Sequence, residues 1–253
     1  MRHARFTSGG KVLAGRVEGR SIIDAGGNAY GTDDITWLPP VEPSKIVGLV
    51  LNYREHADEL GLKTGEGPIP FFKPPSSLTG HLTPIVYPAG ATHVHYEAEL
   101  AVVIGRACRR TGREDAMEHV GGYTIANDVT ARDFITNTFR PPVKAKCFDT
   151  FLPLGPWMVD AADIADASSL SIETRVNGRV VQEGNTSMFV HSIPEVIEFL
   201  SGFMTLLPGD VILTGTPRGI SRIVPGDIVE IAVGGIGTLS NTVTAEGGTV
   251  PES

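Results

Sequence analysis

The stretch of sequence that decides the fold is His93-Val94-His95-Tyr96-Glu97-Ala98-Glu99-Leu100-Ala101-Val102-Val103-Ile104-Gly105. Its second half is an apolar run that predicts a buried β-strand. Because residues two apart on a strand point to the same face, Glu97 and Glu99 should project side by side at the edge of a core. A hard divalent cation such as Mg2+ or Mn2+ would relieve both their mutual repulsion and their loss of solvation. The alternative is an exposed strand end with two solvated glutamates.

A third carboxylate, Asp128, stands at the end of a second apolar run, Tyr123-Thr124-Ile125-Ala126-Asn127. Three oxygen ligands would leave about half of an octahedral Mg2+ shell for water or for a chelating substrate. Arg132 and Lys146 would supply the positive charge that an anionic substrate needs beside the ion, although each of them is equally well explained as a surface or salt-bridged base. We expect Asp133 to be a structural partner of a nearby base.

His56 and Glu59 form a candidate acid–base pair. They lie three residues apart, so on a helical turn they would share one face. An imidazole that is hydrogen-bonded to a carboxylate is a common general base near neutral pH. The glycines at 61, 65 and 67 would give this segment the freedom of an active-site lid. The alternative is an exposed polar turn without a catalytic role.

The composition favours a β-rich fold and excludes some classes of protein. The 253 residues are 41% hydrophobic and 20% charged, which suffices for a full core, and 30 glycines with 18 prolines indicate many turns. A formal net charge of −8 argues against a nucleic-acid-binding protein. Two cysteines, Cys108 and Cys147, are too few for a disulfide scaffold or a thiolate metal site. We find no signal segment after Met1 and no apolar run of membrane-spanning length, and therefore expect a cytoplasmic protein that does not contact membranes.

A proline cluster, Leu38-Pro39-Pro40-Val41-Glu42-Pro43, marks a candidate boundary. It predicts a small N-terminal subdomain over residues 1–44 and a catalytic domain over residues 45–253. The second unit would open with a buried strand at Lys45-Ile46-Val47-Gly48-Leu49-Val50-Leu51.

Two capping-box patterns predict short helices. Thr111-Gly112-Arg113-Glu114 predicts a helix through Val120 that ends at Gly121-Gly122. Ser192-Ile193-Pro194-Glu195 predicts a helix to about Ser201, with its proline at an early helical position where proline is tolerated.

Several motifs of this chain occur together and in the same order in one known family. They are His95-Tyr96-Glu97-Ala98-Glu99-Leu100, Asn127-Asp128-Val129-Thr130-Ala131-Arg132-Asp133, Lys144-Ala145-Lys146-Cys147-Phe148-Asp149-Thr150, Pro153-Leu154-Gly155-Pro156-Trp157 and Leu213-Thr214-Gly215-Thr216-Pro217. From about Lys45 to Val243 the chain resembles the fumarylacetoacetate hydrolase family. The resemblance implies a mixed, β-rich fold of the β-sandwich roll type with short helices, usually found as a homodimer. It also implies dependence on Mg2+ or Mn2+ and substrates such as acylpyruvates and other 2-oxo acids, which chelate the metal.

The same resemblance implies roles for individual residues. Metal ligands would be Glu97, Glu99 and Asp128. Catalytic groups would be the lid dyad His56 and Glu59 and the lysine Lys146. Further substrate-binding positions would be Arg132, Lys73, Thr216 and Arg140.

The run from Phe139 to Cys147 resembles the branch of the family that acts in homoprotocatechuate breakdown in aromatic catabolism. Those enzymes decarboxylate 5-carboxymethyl-2-oxo-hex-3-ene-1,7-dioate and isomerise 2-hydroxyhepta-2,4-diene-1,7-dioate. Hydrolytic members carry a Gln shortly after the Arg-Asp pair, whereas this chain reads Phe134-Ile135-Thr136-Asn137. We therefore expect decarboxylation or isomerisation of a diacid rather than hydrolysis of a carbon–carbon bond, which also needs a positioned water.

Four alternatives stay open on the sequence alone. An acylpyruvate hydrolase and an oxaloacetate decarboxylase would use the same constellation. His93-x-His95-x3-Glu99 also imitates the spacing of a cupin iron site, which would make the chain a metal oxygenase. That site needs a histidine on a later strand, but His119 and His191 fall in predicted helical or pre-helical segments. The chain would be a non-catalytic binding protein if it failed to bind Mg2+.

Overall fold

The computed structural model describes residues 1–135 and 141–248, and its architecture consists mainly of β-strands. The strands are β1 Arg2–Ser8, β2 Lys11–Glu18, β3 Ser21–Asp24, β4 Ala29–Gly31, β5 Thr36–Leu38, β6 Ile46–Val50, β7 Ile69–Lys73, β8 Leu78–Thr79, β9 Ile85–Tyr87, β10 Val94–His95, β11 Ala98–Ile104, β12 Val120–Asn127, β13 Thr130–Ala131, β14 Leu152–Asp160, β15 Ser171–Val176, β16 Arg179–Asn185, β17 Val211–Leu213, β18 Arg222–Ile223, β19 Ile228–Val233 and β20 Gly237–Ala245.

The helices are short. The α-helices are α1 Arg54–Glu59, α2 Val143–Lys146 and α3 Ile193–Phe203. Single 3-10 turns lie at Pro75–Ser77, Ala116–His119, Arg132–Phe134, Ala161–Asp163, Ala167–Ser169 and Thr186–Met188. No helix within the described ranges is long and apolar enough to cross a membrane.

The strands of the described residues form three sheets. The largest has the order β4-β3-β2-β1-β14-β12-β11-β17-β6-β7, with β5 paired to β1 and β8 paired to β14. A five-stranded sheet has the order β16-β15-β19-β20-β9, and a small one has the order β13-β10-β18. This β-rich arrangement with few helices confirms the predicted fold class.

Strand β11 is central, because it pairs with β12 on one side and β17 on the other, and all seven of its residues are buried. Leu100, Val102 and Ile104 point into the main core. Ala101 packs in a second cluster on the opposite face of the strand. Since Glu99 shares the face of Ala101, the apolar stretch fixes which side of the sheet receives its carboxylate.

The N-terminal strands extend the large sheet through the antiparallel pairing of β1 with β14, in which Arg2 is opposite Val159. They also surround a small core of their own, formed by Ala4, Phe6, Val17, Ile22 and Trp37. The division of the chain into a unit over 1–44 and a unit over 45–253 stays a prediction.

The two capping boxes have different outcomes. The prediction at Ser192 is confirmed: helix α3 starts there, and the Glu195 carboxylate accepts from the Ser192 backbone N–H at 2.7 Å. The prediction at Thr111 is wrong, because only the 3-10 turn Ala116–His119 forms. The Thr111 N–H instead donates to Ser201 Oγ of α3 at 3.1 Å, which draws this segment away from a helical path.

Gly121 and Gly122, which were expected to end that helix, belong to strand β12 instead. A Cβ atom at Gly121 would lie 2.8 Å from Gly105 Cα. The two backbones therefore approach each other too closely for a side chain, and glycine serves the sheet here rather than a helix end.

Candidate active site

Three carboxylates converge at the end of the β11–β12 pair. Glu97 directly precedes β11, Glu99 is its second residue, and Asp128 directly follows β12. Because Ala98 is opposite Asn127, the antiparallel register brings Asp128 beside Glu97, and the Asp128 N–H donates to the Glu97 carbonyl at 2.9 Å. One ligand atom from each side chain lies within 4.8 Å of the others, and all three residues are buried.

Three basic side chains surround two of these carboxylates. Lys73 Nζ donates to Asp128 Oδ1 at 2.6 Å. Lys146 Nζ donates to Glu97 Oε2 at 2.9 Å and also contacts Asp128 Oδ2. Arg132 is ion-paired with Glu97. Both ammonium groups are buried, but the balance differs. Burial lowers the pKa of Lys73 despite its contact with Asp128, whereas for Lys146 burial is outweighed by Asp128 and Glu97, which raise its pKa.

Glu99 differs from its neighbours in its electrostatic surroundings. Burial opposes the ionisation of Glu97, but Lys146 and Arg132 outweigh that penalty and hold the pKa of Glu97 well below its usual range. Burial, followed by the nearby charges of Asp128 and Glu97, raises the pKa of Glu99 well above its usual range. In the described chain none of the three basic side chains bonds to Glu99, which accepts from the Gly215 N–H at 2.6 Å.

This donor set fits a hard divalent cation. All three ligand atoms are carboxylate oxygens, which Mg2+ and Mn2+ prefer. Among the described residues no basic side chain is ion-paired with Glu99, so positive charge is missing on that side of the cluster. A cation bound by Glu97, Glu99 and Asp128 would supply it.

A cavity of about 960 Å³ opens above the carboxylates. Its polar lining includes His56, Glu97, Glu99, Arg132, Lys146 and Thr216. Its wall is largely apolar and includes Leu49, Leu60, Leu62, Ile69, Phe71, Phe72, Ile135 and Val143. The cavity thus combines a cluster of charged groups with a largely apolar wall, to which Lys63 adds one further charge.

The predicted pair of His56 and Glu59 lies on helix α1, and their hydrogen bond joins Nδ1 to Oε2 at 3.0 Å. His56 is buried against the cavity. The other carboxylate oxygen of Glu59 accepts from the Gly219 N–H at 3.0 Å. Since the carboxylate can only accept, Nδ1 carries the proton and Nε2 is left for exchange with a ligand.

Comparison with known proteins identifies the family. Residues 45–244 match the model of the fumarylacetoacetate hydrolase C-terminal domain. The chain belongs to the fumarylacetoacetate hydrolase family. This membership confirms the resemblance seen in the sequence and places the chain in a family of metal-dependent enzymes, so that the cupin-like alternative is wrong.

Relatives within the fumarylacetoacetate hydrolase family include isomerases, decarboxylases and hydrolases. A 4-hydroxyphenylacetate degradation bifunctional isomerase/decarboxylase from Salmonella dublin is 44% identical over 211 residues, which are 83% of this chain and 49% of that protein. The chain thus spans about half the length of this relative.

Solved structures that resemble nearly the whole chain include an isomerase and a hydrolase. The 5-carboxymethyl-2-hydroxymuconate delta-isomerase from Mycobacterium smegmatis is 42% identical with a TM-score of 0.88, over 98% of this chain and 100% of that one. A maleylpyruvate hydrolase from Sphingobium sp., in complex with manganese and pyruvate, is 32% identical with a TM-score of 0.83, over 97% of this chain and 99% of that one.

The remaining predicted site residues lie at different depths. Thr216 lines the cavity, whereas the Lys73 ammonium is fully buried behind Asp128 and bonds to the Lys146 carbonyl. Arg140 lies outside the described residues. Asp133 accepts from the Thr92 and His93 backbone N–H groups at 2.9 and 2.8 Å, and the ring of one base, His93, lies 3.5 Å from its carboxylate.

Sequence reasoning missed several groups that support the site. The Thr130 hydroxyl donates to Glu97 Oε1 at 3.1 Å and accepts from Lys146 at 2.8 Å. Gly215, whose N–H holds Glu99, has a φ of +90°, which glycine adopts without strain. Both residues lie inside motifs that the sequence displays, but their hydrogen bonds join segments far apart in the chain.

Proposed function

We propose that the chain is a metal-dependent decarboxylase or isomerase of 2-oxo or 2-hydroxydienoic diacids in aromatic catabolism. The observation that carries this proposal is the buried cluster of Glu97, Glu99 and Asp128, which contacts three basic side chains. Two of these carboxylates, Glu97 and Glu99, line a cavity that His56 also lines. The names of the Salmonella and Mycobacterium relatives support the same reaction class.

The charge of the site supports a dianionic substrate. Three carboxylates and three basic side chains balance each other when all are ionised. A divalent cation would leave the site with an excess of about two positive charges. A diacid or an ionised 2-oxo acid chelate would neutralise this excess, whereas a neutral ligand would not.

The cation itself would be Mg2+ or Mn2+, bound by Glu97, Glu99 and Asp128. When bound, it would polarise the 2-oxo group and stabilise the negative charge that loss of CO2 or of a proton leaves there. Lys146 and Arg132 hold the carboxylate of Glu97 in place for this task. The manganese and pyruvate complex of the Sphingobium relative supports this assignment.

His56 would move the proton. Its Nδ1–H donates to Glu59, and Glu59 is fixed in turn by the Gly219 N–H. This arrangement sets the tautomer and leaves Nε2 to take a proton from one carbon of the substrate or to return it to another. In an isomerisation, the proton taken from one carbon is returned to another and the double bond shifts. In a decarboxylation, Nε2 would first take a proton from solvent and then give it to the carbon that has lost CO2. Neither transfer needs water positioned as a nucleophile.

The apolar cavity wall supports a substrate that is longer than oxaloacetate. Leu60, Leu62, Ile69 and Phe71 offer contact to a carbon chain but no hydrogen bonds to it. An unsaturated chain between two carboxylates would bury its middle against this wall. Oxaloacetate, which is shorter, would not contact that apolar wall.

An acylpyruvate hydrolase is the second candidate. The likeness to a maleylpyruvate hydrolase over nearly the whole chain favours it, and the same dyad would then activate water. The two candidates differ in their products, which makes them easy to separate.

The deciding experiment is a panel assay with Mg2+ and with Mn2+ over the seven-carbon diacids, acylpyruvates and oxaloacetate. CO2 release, isomerisation and carbon–carbon cleavage are each measured separately. We expect turnover of the diacids to exceed cleavage of acetylpyruvate. Rapid cleavage of acetylpyruvate without turnover of the diacids would favour the hydrolase. A homodimer and a cytoplasmic location stay predictions, and light scattering checks the first.

A further inference from the structure

Gln182 is a buried amide with no part in the chemistry described above. It lies in β16, at the edge of the five-stranded sheet, where most residues of the strand are exposed. Its Nε2 donates to Thr216 Oγ1 at 2.9 Å and to the Pro217 carbonyl at 2.7 Å. A residue of the second sheet thus reaches a hydroxyl on the wall of the active-site cavity.

The orientation of this amide follows from its neighbours. The Pro217 carbonyl can only accept, so the amide nitrogen must face it, since the opposite orientation would place two oxygens against each other. Thr174, directly opposite Gln182 on β15, donates its hydroxyl to Gln182 Oε1 at 2.9 Å. Both ends of the amide are therefore assigned.

The loop that carries Thr216 is seated firmly on β16. A Cβ atom at Gly184 would lie 2.5 Å from Pro217 Cβ, so this glycine makes room for the proline ring. Gly219, farther along the loop, has a φ of +101°, and a Cβ there would lie 3.0 Å from the Val181 carbonyl. The distance between Gln182 and Thr216 is thus set by packing.

The contact with Gln182 determines what Thr216 can offer a ligand. A hydroxyl has one hydrogen to donate, and Thr216 Oγ1 already accepts from Gln182. Thr216 donates no hydrogen bond to another residue in the described part of the chain, and it lines the cavity. Its hydrogen is therefore available to an acceptor in the cavity.

We propose that Gln182 is a positioning residue that fixes the Thr216 hydroxyl as a hydrogen-bond donor to an anionic oxygen of the substrate. This inference rests on the proposed function, because the acceptor is a carboxylate or 2-oxo oxygen. Without Gln182, the Pro217 carbonyl would lose its donor, and the Thr216 hydroxyl would donate its hydrogen to that carbonyl. It would then no longer donate to a negatively charged oxygen of the substrate.

The test measures binding of oxalate, a small dianion, to the full chain with Mg2+ by calorimetry. Thr216→Val should weaken oxalate binding about tenfold, the size expected for one hydrogen bond to a charged group, and Thr216→Ser should retain the affinity. Gln182→Met, which conserves volume, should cause a similar loss. The double variant Gln182→Met with Thr216→Val should bind no more weakly than Thr216→Val alone, because both changes remove the same hydrogen bond.

Asn241→Leu is the matched control. Asn241 is another buried amide in the same sheet, and it donates to the Gly80 and Thr83 carbonyls at 2.8 and 2.7 Å, away from the cavity. Its replacement should lower the free energy of unfolding and leave oxalate affinity unchanged. If Gln182→Met does not fold, Gln182→Asn takes its place, since the shorter amide cannot reach both acceptors.

Three results would overturn the inference. The Gln182 variants could bind oxalate as tightly as the wild type, or the double variant could bind it more weakly than Thr216→Val alone. Asn241→Leu could also lose as much oxalate affinity as Gln182→Met. Failure of the wild-type protein to bind oxalate with Mg2+ is a different result, because it would overturn the proposed function and the inference with it.

Discussion

At the scale of single residues, the site is governed by unequal pairing among three carboxylates. Glu97 and Asp128 each contact basic side chains, whereas among the described residues Glu99 accepts only from the Gly215 N–H. The sequence indicated that the carboxylates belong together, because Glu97 and Glu99 begin one apolar run and Asp128 follows the end of another. It did not show which carboxylate lacks a counter-charge, since that depends on where three distant bases reach.

The first prediction concerns Glu99. Glu99→Gln should lower Mg2+ affinity more than about a hundredfold, because loss of a ligand should exceed the 10–100-fold effect of groups that only orient ligands. The metal-free protein should keep its stability, since burial and like charges disfavour the ionised Glu99 and Gln resembles its protonated form. Calorimetry checks the affinity, with the exposed Glu118→Gln as control. Unchanged Mg2+ affinity would refute the metal site.

The second prediction concerns Lys146. In metal-free buffer, Lys146→Met should lower the free energy of unfolding by about 3–5 kcal/mol, because Glu97 and Asp128 lose their shared cation. Mg2+ should restore part of this loss by supplying positive charge. Urea denaturation with EDTA and with Mg2+ measures both effects, and the exposed Lys144→Met on the same helix is the control. Equal loss with and without Mg2+ would contradict the expectation.

At the scale of elements, local patterns predicted some helices and failed for others. In the box at Ser192, the Ser192 N–H donates to the Glu195 carboxylate, whereas at Thr111 the corresponding N–H donates to Ser201 of α3. Helix α1 is anchored by contacts with distant parts of the chain. Asn52, which lies just before the helix, donates to the His191 and Thr214 carbonyls at 3.1 and 2.9 Å. Its placement at the cavity therefore comes from tertiary contacts.

The third prediction concerns the segment from 52 to 67 as a substrate-ordered lid. Its amides should exchange rapidly in the free protein and gain protection when oxalate binds with Mg2+, because the ligand would contact His56. Hydrogen exchange with mass spectrometry measures this, and α3 provides an internal reference that should not change. The lid would be refuted by equal exchange in both states.

At the scale of the whole molecule, the N-terminal strands belong to the largest sheet and also contact the five-stranded sheet through His81. Trp37 of β5 packs edge-on against His81, with ring centroids 5.4 Å apart. His81 Nδ1 accepts from the Ser240 N–H of β20 at 3.0 Å. Protonation of Nδ1 would break this bond, and burial lowers the pKa of His81 to about 4.

The fourth prediction follows from that pKa. Between the ordinary value of 6.5 and about 4, the unfolded chain binds a proton at His81 that the folded chain does not. The contribution of His81 to stability is therefore complete above pH 6.5 and is lost as the pH falls through this window. By about pH 5 the loss is at most about 2 kcal/mol, since partial exposure reduces it.

Urea denaturation of the wild type and His81→Gln at about pH 7.5 and about pH 5 checks this prediction. The substitution should flatten the pH dependence of the unfolding free energy between these two pH values. Equal slopes for the wild type and His81→Gln would contradict the assignment.

The sequence by itself determined the fold class, the family and the three candidate metal-binding carboxylates. Apolar runs and the order of motifs can be recognised along the chain without knowledge of its three-dimensional structure. Only the tertiary structure decided that Lys73, which was expected to bind substrate, is enclosed behind Asp128, 55 residues away in the chain. Only it revealed that Gln182 of the second sheet reaches Thr216. Burial and hydrogen bonding of a polar side chain depend on which distant segments fold against it, and no local pattern contains that information.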